Sequence, residues 1–290
     1  MIQELCQDYP LVQLCRALEV SRSGYYRWRR NPVSARQSAN RQLAEQVKTI
    51  YEAKKGAYGS PRVTQELRRA GKKCNHKRVE RLMRQQGLRG RSGRKRRVKT
   101  TDSEHDFPIA PNLLRDRPPP QKCNEVWVAD ITYVPTAQGW LFLAAVMDLY
   151  SRQILGWSLW RNLEAGGVLQ ALSRALGKRR HPRGVIHHSD RGVQCASREY
   201  RQQLERYGLV ASMSRKGNCY DNAAMEAFWS TLKREALEDS AAWSEDRTRR
   251  VIFEYIESIY NRSRLHSSLD YQSPVDFENN NSYNEKDCKY

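Results

Sequence analysis

The stretch that decides the fold begins as VIHHSDRGVQC at 185–195 and ends as RKGNCYDNAAMEAFWSTLKRE at 215–235. Its first part predicts a short apolar strand that ends next to Asp190. Between the two parts, the pattern predicts an amphipathic helix and a second short strand. The last part is a polar loop followed by a helix, and the first turns of this helix carry Glu226. The stretch therefore places two acids on separate elements.

A third acid lies upstream, where residues 126–134 read VWVADITYV. Asp130 occupies the middle of this apolar strand. Burying a carboxylate between hydrophobic neighbours is costly unless something pairs with it. Because Asp130, Asp190 and Glu226 come from three separate elements, the sequence suggests a divalent-cation site formed by their side chains.

The elements around these acids follow the order βββαβαβα, which predicts an α/β fold with a mixed five-stranded sheet. In that order, strands one and four lie side by side and the last helix packs across their ends, so the three acids can converge. The predicted strands are 126–136, 140–149, 154–160, 185–188 and 210–213, and the predicted helices are 163–178, 197–207 and 222–238. A further helix at 245–260 precedes a frayed last dozen residues.

The charge distribution separates the chain into two parts. The first 100 residues hold 26 Lys and Arg against 7 Asp and Glu, which accounts for the whole net charge of +19. The remaining 190 residues are balanced. A basic region of this kind predicts a polyanionic partner and salt-sensitive binding.

Other features of the composition exclude several classes of protein. No run of about 18 apolar residues is present, so we expect no membrane span, and the N-terminus lacks the apolar core of a secretory signal. The seven cysteines contain no CxxC pair. This spacing predicts neither a disulfide framework nor a zinc site, and it favours a reducing compartment.

Short helices dominate the basic region. Residues 9–30 predict two helices joined at Val20-Ser21, the second basic and aromatic, which suggests a helix-turn-helix within a segment spanning 1–36. An ordinary helical hairpin with aromatic residues in its core is an equal alternative. A second helical region spans 37–100: after a helix at 40–56, Ser60 is expected to cap a helix with Pro61 at its first position.

The next helix of this second region is the better candidate for DNA contact. Asn75 caps it, and Val79, Leu82 and Met83 form its apolar stripe, while basic residues predominate on the other face. The basic run that follows, at 89–100, has no periodicity and predicts a flexible tail that follows phosphates. We expect the DNA contacts of the whole region to include Arg62, Lys77, Arg78, Arg81, Arg84, Arg94, Lys95, Arg96 and Arg97.

A Pro-rich segment at 101–121 predicts a linker between this basic region and the α/β core. We place the core at 122–239 and a C-terminal helix and tail at 240–290. Several residues of the core have ordinary structural interpretations. Asp148 is expected to cap the hairpin after strand two, and His187 and His188 face opposite ways, so that one is a core residue and one lines the site. Trp229 is expected to pack in the core rather than stack on a base.

The three acids, in their sequence contexts, resemble the retroviral-integrase and DDE-transposase superfamily, whose core is ribonuclease H-like. Thirty-five residues separate Asp190 from Glu226, as in the D,D-35-E group, and Lys233 lies two helical turns beyond Glu226 on the same face. The segments WVADITYV, HSDRGVQC and NCYDNAAMEAFWSTLKRE look like the second-frame product (OrfB) of insertion sequences of the IS-three family. The segments YGSPRV and SPVDF are also similar to that family.

This resemblance implies a DNA transposase. Asp130 and Asp190 would share Mg²⁺ ions, two in number and replaceable by Mn²⁺, while Glu226 would complete the site and Lys233 would contact the DNA end. The implied reaction is hydrolytic nicking at an element end, followed by attack of the 3′-hydroxyl on target DNA. The implied partners are duplex DNA, further copies of the chain on DNA, and an upstream-frame (OrfA) protein or fusion. The implied location is the bacterial cytoplasm, at the nucleoid.

Two other functions compete with this interpretation. One is a helix-turn-helix DNA-binding protein whose core is catalytically inactive, against which the intact acids argue. The other is a ribonuclease H-type nuclease that acts on RNA–DNA hybrids, which gives no reason for the helix-turn-helix segments. The resemblance also implies that the active enzyme is a frameshift fusion with an upstream helix-turn-helix and a leucine zipper. The sequence has no heptad run, so we expect this chain to supply the catalytic part.

Overall fold

The computed structural model describes residues 2–31, 33–91, 107–162, 165–215 and 222–287, with backbone alone beyond 281. The chain divides into two compact units, residues 1–91 and 92–290. The predicted DNA-contacting residues Arg94, Lys95, Arg96 and Arg97 lie outside the described residues. In the described part of the chain, no helix is both long and apolar enough to cross a bilayer.

The described part of the first unit is entirely helical. Ser21 caps the second helix of the first predicted pair by accepting a hydrogen bond from the backbone N–H of Gly24 at 3.0 Å. Of the aromatic residues that follow, Tyr25 is buried whereas Tyr26 and Trp28 are exposed. The helices are α1 (Ile2–Leu5), α2 (Leu11–Ala17), α3 (Arg22–Arg30), α4 (Ala35–Ala53), α5 (Ser60–Arg69) and α6 (His76–Gln85).

The second helix pair of this unit, α5 and α6, forms as predicted with one change. Asn75 caps α6 through its side chain, as expected, and Val79, Leu82 and Met83 are buried. The expected capping role of Ser60 is wrong, because α5 begins at Ser60 itself and Gly59 occupies the capping position. The Ser60 hydroxyl instead lies 2.9 Å from Nε2 of His76, so it links α5 to α6.

The second unit is built on one five-stranded sheet in the order β3-β2-β1-β4-β5. β1 pairs antiparallel with β2, and β2 with β3, whereas β4 is parallel to both β1 and β5. This arrangement confirms the predicted mixed, ribonuclease H-like sheet. The strands are β1 (Val126–Thr136), β2 (Gly139–Asp148), β3 (Ile154–Trp160), β4 (Ile186–Ser189) and β5 (Val210–Met213).

Helices cover both faces of the sheet. They are α7 (Ala165–Lys178), α8 (Val193–Ala196), α9 (Arg198–Arg206), α10 (Ala223–Glu235), α11 (Glu245–Phe253) and α12 (Pro274–Asp287). Consecutive apolar side chains of β1 point to opposite faces. Val126 and Val128 pack in the cluster that contains α10 residues, while Trp127 and Ala129 pack in the cluster that contains α7 and α9 residues.

The C-terminal segment is more ordered than the sequence predicts. After α11, residues 254–260 continue as a π-helix, and α12 extends to Asp287, so the expected frayed end is wrong up to that residue. Ile252 and Tyr260 are buried in the same cluster as α10. Part of the predicted linker is also packed: Leu113 and Leu114 lie against this cluster.

Candidate active site and nucleic-acid interface

Asp130 and Asp190 lie side by side at one edge of two neighbouring strands. Ala129 of β1 pairs with Ser189 of β4 at the last position of their parallel register. Asp130 is the next residue of β1, and Asp190 is the first residue after β4. Adjacent strands are about 4.8 Å apart, so the two acids leave the paired segment side by side. Both are half-buried. The strand register thus brings together two acids that are 60 residues apart in the sequence.

The carboxylate of Asp130 is held by two donors. Its Oδ1 accepts a hydrogen bond from the backbone N–H of Ile131 at 2.9 Å, and its Oδ2 accepts one from Nε1–H of Trp229 at 2.9 Å. Burial is the main cause that raises the pKa of Asp130 to about 7, and the charge of Asp190 is the next cause. Glu226 raises this pKa further, although less than both hydrogen bonds lower it.

The remaining predicted site residues lie nearby on a loop and on α10. After β4, Asp190 Oδ1 accepts the backbone N–H of Gly192 at 3.0 Å. Glu226 is exposed in the first turns of α10. Burial lowers the pKa of Lys233, and the charge of Asp130 opposes that shift. The structure therefore places Asp190, Glu226 and Lys233 in the surroundings of Asp130.

The ligand atoms of Asp130, Asp190 and Glu226 do not all lie within 4.8 Å of one another. Among the described residues, the group of three whose ligand atoms all lie within 4.8 Å of one another is Cys123, Asp148 and Glu278. This group does not suit a cation, because the guanidinium of Arg179 contacts both Asp148 and Glu278. Burial also raises the pKa of the Cys123 thiol to about 12, which keeps it protonated.

Asp148 has the structural role that the sequence predicts. It is fully buried, and its Oδ1 accepts the backbone N–H groups of Tyr150 at 3.0 Å and Ser151 at 3.2 Å. Its Oδ2 accepts the N–H of Asn124 at 2.8 Å. Asp148 therefore fixes the turn between β2 and β3, and it does not compete with Asp130 for a catalytic role.

Both histidines of β4 are core residues. His187 Nε2 lies 3.2 Å from the hydroxyl of Tyr200, and His188 Nδ1 lies 2.9 Å from Oγ of Ser212. Both side chains are buried, so the expectation that one of them lines the site is wrong. Asn222 occupies the position before α10, and its side-chain amide donates to the carbonyl of Ala129 at 3.4 Å.

The triad has the chemistry that a divalent cation needs. Its donors are three carboxylates from three elements, and hard cations such as Mg²⁺ prefer oxygen ligands of this kind. Burial and, after it, the charges of Asp190 and Glu226 disfavour the charged form of Asp130 and raise its pKa. A cation bound among the three carboxylates would favour their charged forms, so the residues fit such a group.

In the first unit, a basic cleft of about 570 Å³ lies between α4 and α6. It is lined by Arg36, Ala39, Lys77, Arg78 and Arg81. No acid lines it, and the part of the chain that the structure describes gives no ion pair to Arg36, Lys77 or Arg81. The sequence missed Arg36 because this residue lies at the start of a different helix, outside the basic face of α6.

The structure separates the other basic residues of this region into different settings. Nε of Arg78 donates to Asn40 Oδ1 at 2.9 Å and so ties α6 to α4. Arg84 forms an exposed ion pair with Glu80 at 3.3 Å, one turn away on α6. Arg62 is half-buried, with its guanidinium 5.6 Å from the ring centre of Tyr58.

Comparison with known proteins gives three matching family models. Two are described as an integrase core domain, over residues 120–219 and 207–274, and one as an HTH-like domain, over residues 38–96. The Transposase InsF for insertion sequence IS3A of Escherichia coli K12 is 41% identical over 276 residues, which cover 94% of this chain and 96% of that relative. The chain belongs to the IS3 family of insertion-sequence transposases.

A second relative of this IS3-family chain is the Insertion element IS600 uncharacterized 31 kDa protein of Shigella sonnei, which is 43% identical over 264 residues, 91% of this chain and 97% of the relative. Among solved structures, a chain of the simian T-cell lymphotropic virus intasome in complex with the PP2A regulatory subunit B56 gamma has a TM-score of 0.47 and 12% identity, covering 80% of this chain and 74% of that chain. The HTLV-2 integrase catalytic core domain in complex with magnesium, in its trimeric form, has a TM-score of 0.42 and 13% identity, covering 55% and 98%.

Membership of the IS3 family establishes the general activity. The chain is a transposase with an integrase core, an enzyme of the polynucleotidyl-transferase type that acts in DNA transposition. Its HTH-like domain, together with this core, means that it binds DNA. The predicted family and function are therefore confirmed, whereas the roles of individual residues stay predictions.

Proposed function

We propose that this transposase cleaves element ends and joins them to target DNA at a cation site formed by Asp130, Asp190 and Glu226. The observation that carries the proposal is the placement of Asp130 on β1 beside Asp190, the first residue after β4, with Glu226 close enough to raise the pKa of Asp130. If Asp130 were only a structural hydrogen-bond acceptor, it would not need two further acids beside it.

The proposal assigns a role to each of the three acids and to Lys233. Asp130 and Asp190 would hold Mg²⁺ ions, Glu226 would complete the site from α10, and Lys233 would bind a phosphate of the DNA end. We propose two ions, for which Mn²⁺ can substitute. When bound, such ions activate the attacking water or 3′-hydroxyl and neutralise charge at the scissile phosphate. The half-buried setting of Asp130 strengthens its electrostatic interactions, because water is partly excluded there.

The test is a strand-cleavage and strand-transfer assay on a labelled duplex that carries the terminal repeat of the element. Asp190→Asn and Glu226→Gln are expected to lower both rates by at least about 100-fold, because even residues that only orient metal ligands contribute 10–100-fold. Binding of the same duplex in EDTA serves as the control and should persist. Cleavage by either variant at the wild-type rate would refute the proposed site.

The same assay distinguishes the two competing functions. A DNA-binding protein with an inactive core would bind the duplex but would cleave nothing with Mg²⁺ or Mn²⁺. A ribonuclease H-type nuclease would cleave an RNA–DNA hybrid of the same sequence in preference to the duplex. We expect the duplex to be the better substrate.

We also propose that α6 contacts the DNA backbone through the cleft that it shares with α4. Lys77 and Arg81 line that cleft together with Arg36, and no acid neutralises them there. Arg78, Arg62 and the basic tail (Arg94, Lys95, Arg96 and Arg97) are further candidates. Arg84 is the weakest of the predicted contacts, because it is paired with Glu80.

This proposal predicts how DNA binding depends on salt. Replacing Arg36, Lys77 or Arg81 with Ala should each lower the slope of log Kd against log salt concentration by about one, the value for one lost phosphate contact. Arg84→Ala is the matched control, since it removes one exposed Arg from the same helix, and its slope should stay near the wild-type slope. Equal slopes for Arg36→Ala and Arg84→Ala, measured by fluorescence anisotropy, would exclude the cleft as the contact.

The proposed partners are two ends of the element, target duplex DNA, further copies of this chain and an upstream-frame protein. Light scattering of the chain with and without a terminal-repeat duplex tests self-association. A DNA complex that contains a single copy of the chain would contradict a homo-oligomer on DNA.

A further inference from the structure

One contact joins the two elements that carry Asp130 and Glu226. Nε1–H of Trp229 donates to Oδ2 of Asp130 across 99 residues of sequence, with a distance of 2.9 Å. Trp229 lies on α10, three residues after Glu226, so it belongs to the same helix as the third acid. We propose that Trp229 is a positioning residue that fixes the Asp130 carboxylate for cation binding.

Trp229 is itself held rigidly. Its side chain is 5% exposed and belongs to the cluster that packs α10 against β1. Its ring centre lies 4.7 Å from that of Phe228. A side chain packed on all sides keeps one rotamer, since interiors are as dense as organic crystals. The indole N–H is therefore presented to Asp130 at a fixed place.

The two hydrogen bonds of Asp130 set its orientation. Ile131 N–H binds Oδ1 and Trp229 Nε1–H binds Oδ2, so rotation of the carboxylate about its terminal bond would break both contacts. Each carboxylate oxygen still has lone-pair capacity after accepting one bond. The two donors therefore orient the oxygens and leave a lone pair on each oxygen for a cation.

The chemistry of indole suits this role. Its nitrogen is a donor only, so Trp229 can hold an acceptor in place but cannot act as a ligand or take a proton from one. It also carries no charge, so it does not compete with a cation for the carboxylate, as Lys or Arg would. The contact in addition ties β1 to α10, and it thereby links the position of Asp130 to that of Glu226.

Trp229→Phe is the informative variant, because it keeps an aromatic ring in the core and removes the donor. The chain also offers a matched control: Nε1–H of Trp157 donates to Glu257 Oε1 at 3.0 Å, in the same hydrophobic cluster but on the edge strand β3. Trp157→Phe removes the same kind of bond away from the acids. Cation binding is measured with Mn²⁺ as the probe, by the electron paramagnetic resonance signal of unbound Mn²⁺.

The inference rests on the proposed function, and the expected results separate the two. Trp229→Phe should raise the Mn²⁺ dissociation constant by about 10–100-fold, the usual effect of losing a partner that orients a metal ligand, while Trp157→Phe leaves it unchanged. Strand cleavage by Trp229→Phe should be recovered in part by raising the Mn²⁺ concentration.

Wild-type Mn²⁺ affinity in Asp130→Asn would overturn the cation site itself. Loss of affinity in Asp130→Asn together with wild-type affinity in Trp229→Phe would overturn only the positioning role.

A measurement on the wild-type chain covers the case in which Trp229→Phe does not fold. Labelling with ¹⁵N-tryptophan gives indole N–H signals for the seven Trp residues, and the signal that moves in Asp130→Asn identifies Trp229. Titration with Mg²⁺ should shift this signal, because its acceptor becomes a ligand, and should leave the Trp157 signal in place. A Trp229 signal that does not respond to saturating Mg²⁺ would overturn the proposal.

Discussion

Asp130→Asn is expected to abolish metal-dependent strand cleavage. In the absence of metal, the stability of the variant relative to the wild type should increase as pH rises. The loss of cleavage should reach at least about 100-fold, because the variant loses a proposed ligand and not only a residue that orients one. An amide can still accept hydrogen bonds through its oxygen, but it carries no charge to offset that of a cation. The same duplex in EDTA should still be bound.

The change in stability follows from the pKa of Asp130. Burial and the charges of Asp190 and Glu226 raise this pKa from 3.8 to about 7. Between these two values the folded chain retains a proton that the unfolded chain has released, so the stability that Asp130 contributes is present at low pH and is lost as pH rises through about 7. Asn cannot ionise, and the variant avoids this loss.

The comparison is made by thermal unfolding in EDTA between pH 5 and 8. The difference in midpoint, variant minus wild type, should grow over this range, whatever its starting value. Two lost or altered hydrogen bonds at Asp130 shift that starting value but do not depend on pH, so they leave the trend unchanged. A difference that stays constant with pH would show that neither burial nor the neighbouring acids raise the pKa of Asp130.

The sheet could be predicted from the sequence because its strands have strong local signals. The boundaries of β1, β3 and β5 match the prediction, since alternating or continuous apolar runs there end at clear turn residues. Asp148 could be assigned to the hairpin turn for the same reason: its partners, Tyr150 and Ser151, are close in sequence. Contacts of this kind depend only on local chain geometry.

Features that depend on long-range packing could not be predicted in this way. The hydrogen bond between Trp229 and Asp130 depends on the strand order and on which face of α10 is turned toward β1. The periodicity of the segment around Trp229 predicts neither. The burial of both histidines of β4 depends on Tyr200 and Ser212, which come from neighbouring elements. Ser60 illustrates the same point, because its hydroxyl lies next to His76 on the following helix, a contact that its own segment does not predict.

The net charge of a region does not predict which of its basic residues are available to bind DNA. The excess charge of the first third predicts a polyanionic partner, but it treats Lys77, Arg78, Arg81 and Arg84 alike. The structure distinguishes them by their neighbours, since Arg78 is bonded to Asn40 and Arg84 is paired on its own helix. Sequence composition therefore predicted the kind of ligand, and the packing of α4 against α6 was needed to select the residues.

The buried ion pair between Arg264 and Glu235 leads to the second large effect. Nε and Nη2 of Arg264 donate to the two oxygens of Glu235 at 2.9 and 2.8 Å, and the hydroxyl of Tyr255 donates to Oε2 at 2.8 Å. The two charged side chains are only 4% and 2% exposed. Because Glu235 is the last residue of α10, this pair joins the C-terminal segment to the helix that carries Glu226.

Arg264→Met is expected to lower the free energy of unfolding by about 3–5 kcal/mol, because it removes the hydrogen-bonded counter-charge of the buried Glu235 carboxylate and leaves the guanidinium of Arg234 at the longer distance of 3.7 Å. Arg161→Met is the matched control: Arg161 forms an equally short pair with Glu245, at 2.8 Å, but its side chain is 77% exposed. Screening by water limits the effect of that substitution to about 1 kcal/mol or less. Both values come from urea unfolding followed by circular dichroism.

A double replacement separates the ion pair from simple packing. Arg264→Met combined with Glu235→Gln removes both charges, and it should recover part of the stability that Arg264→Met alone loses, since the main cost is the buried charge left without its hydrogen-bonded counter-charge. Additive losses in the double variant would instead attribute the effect to lost packing around Arg264. An Arg264→Met chain no less stable than Arg161→Met would show that the pair does not hold the C-terminal segment against α10.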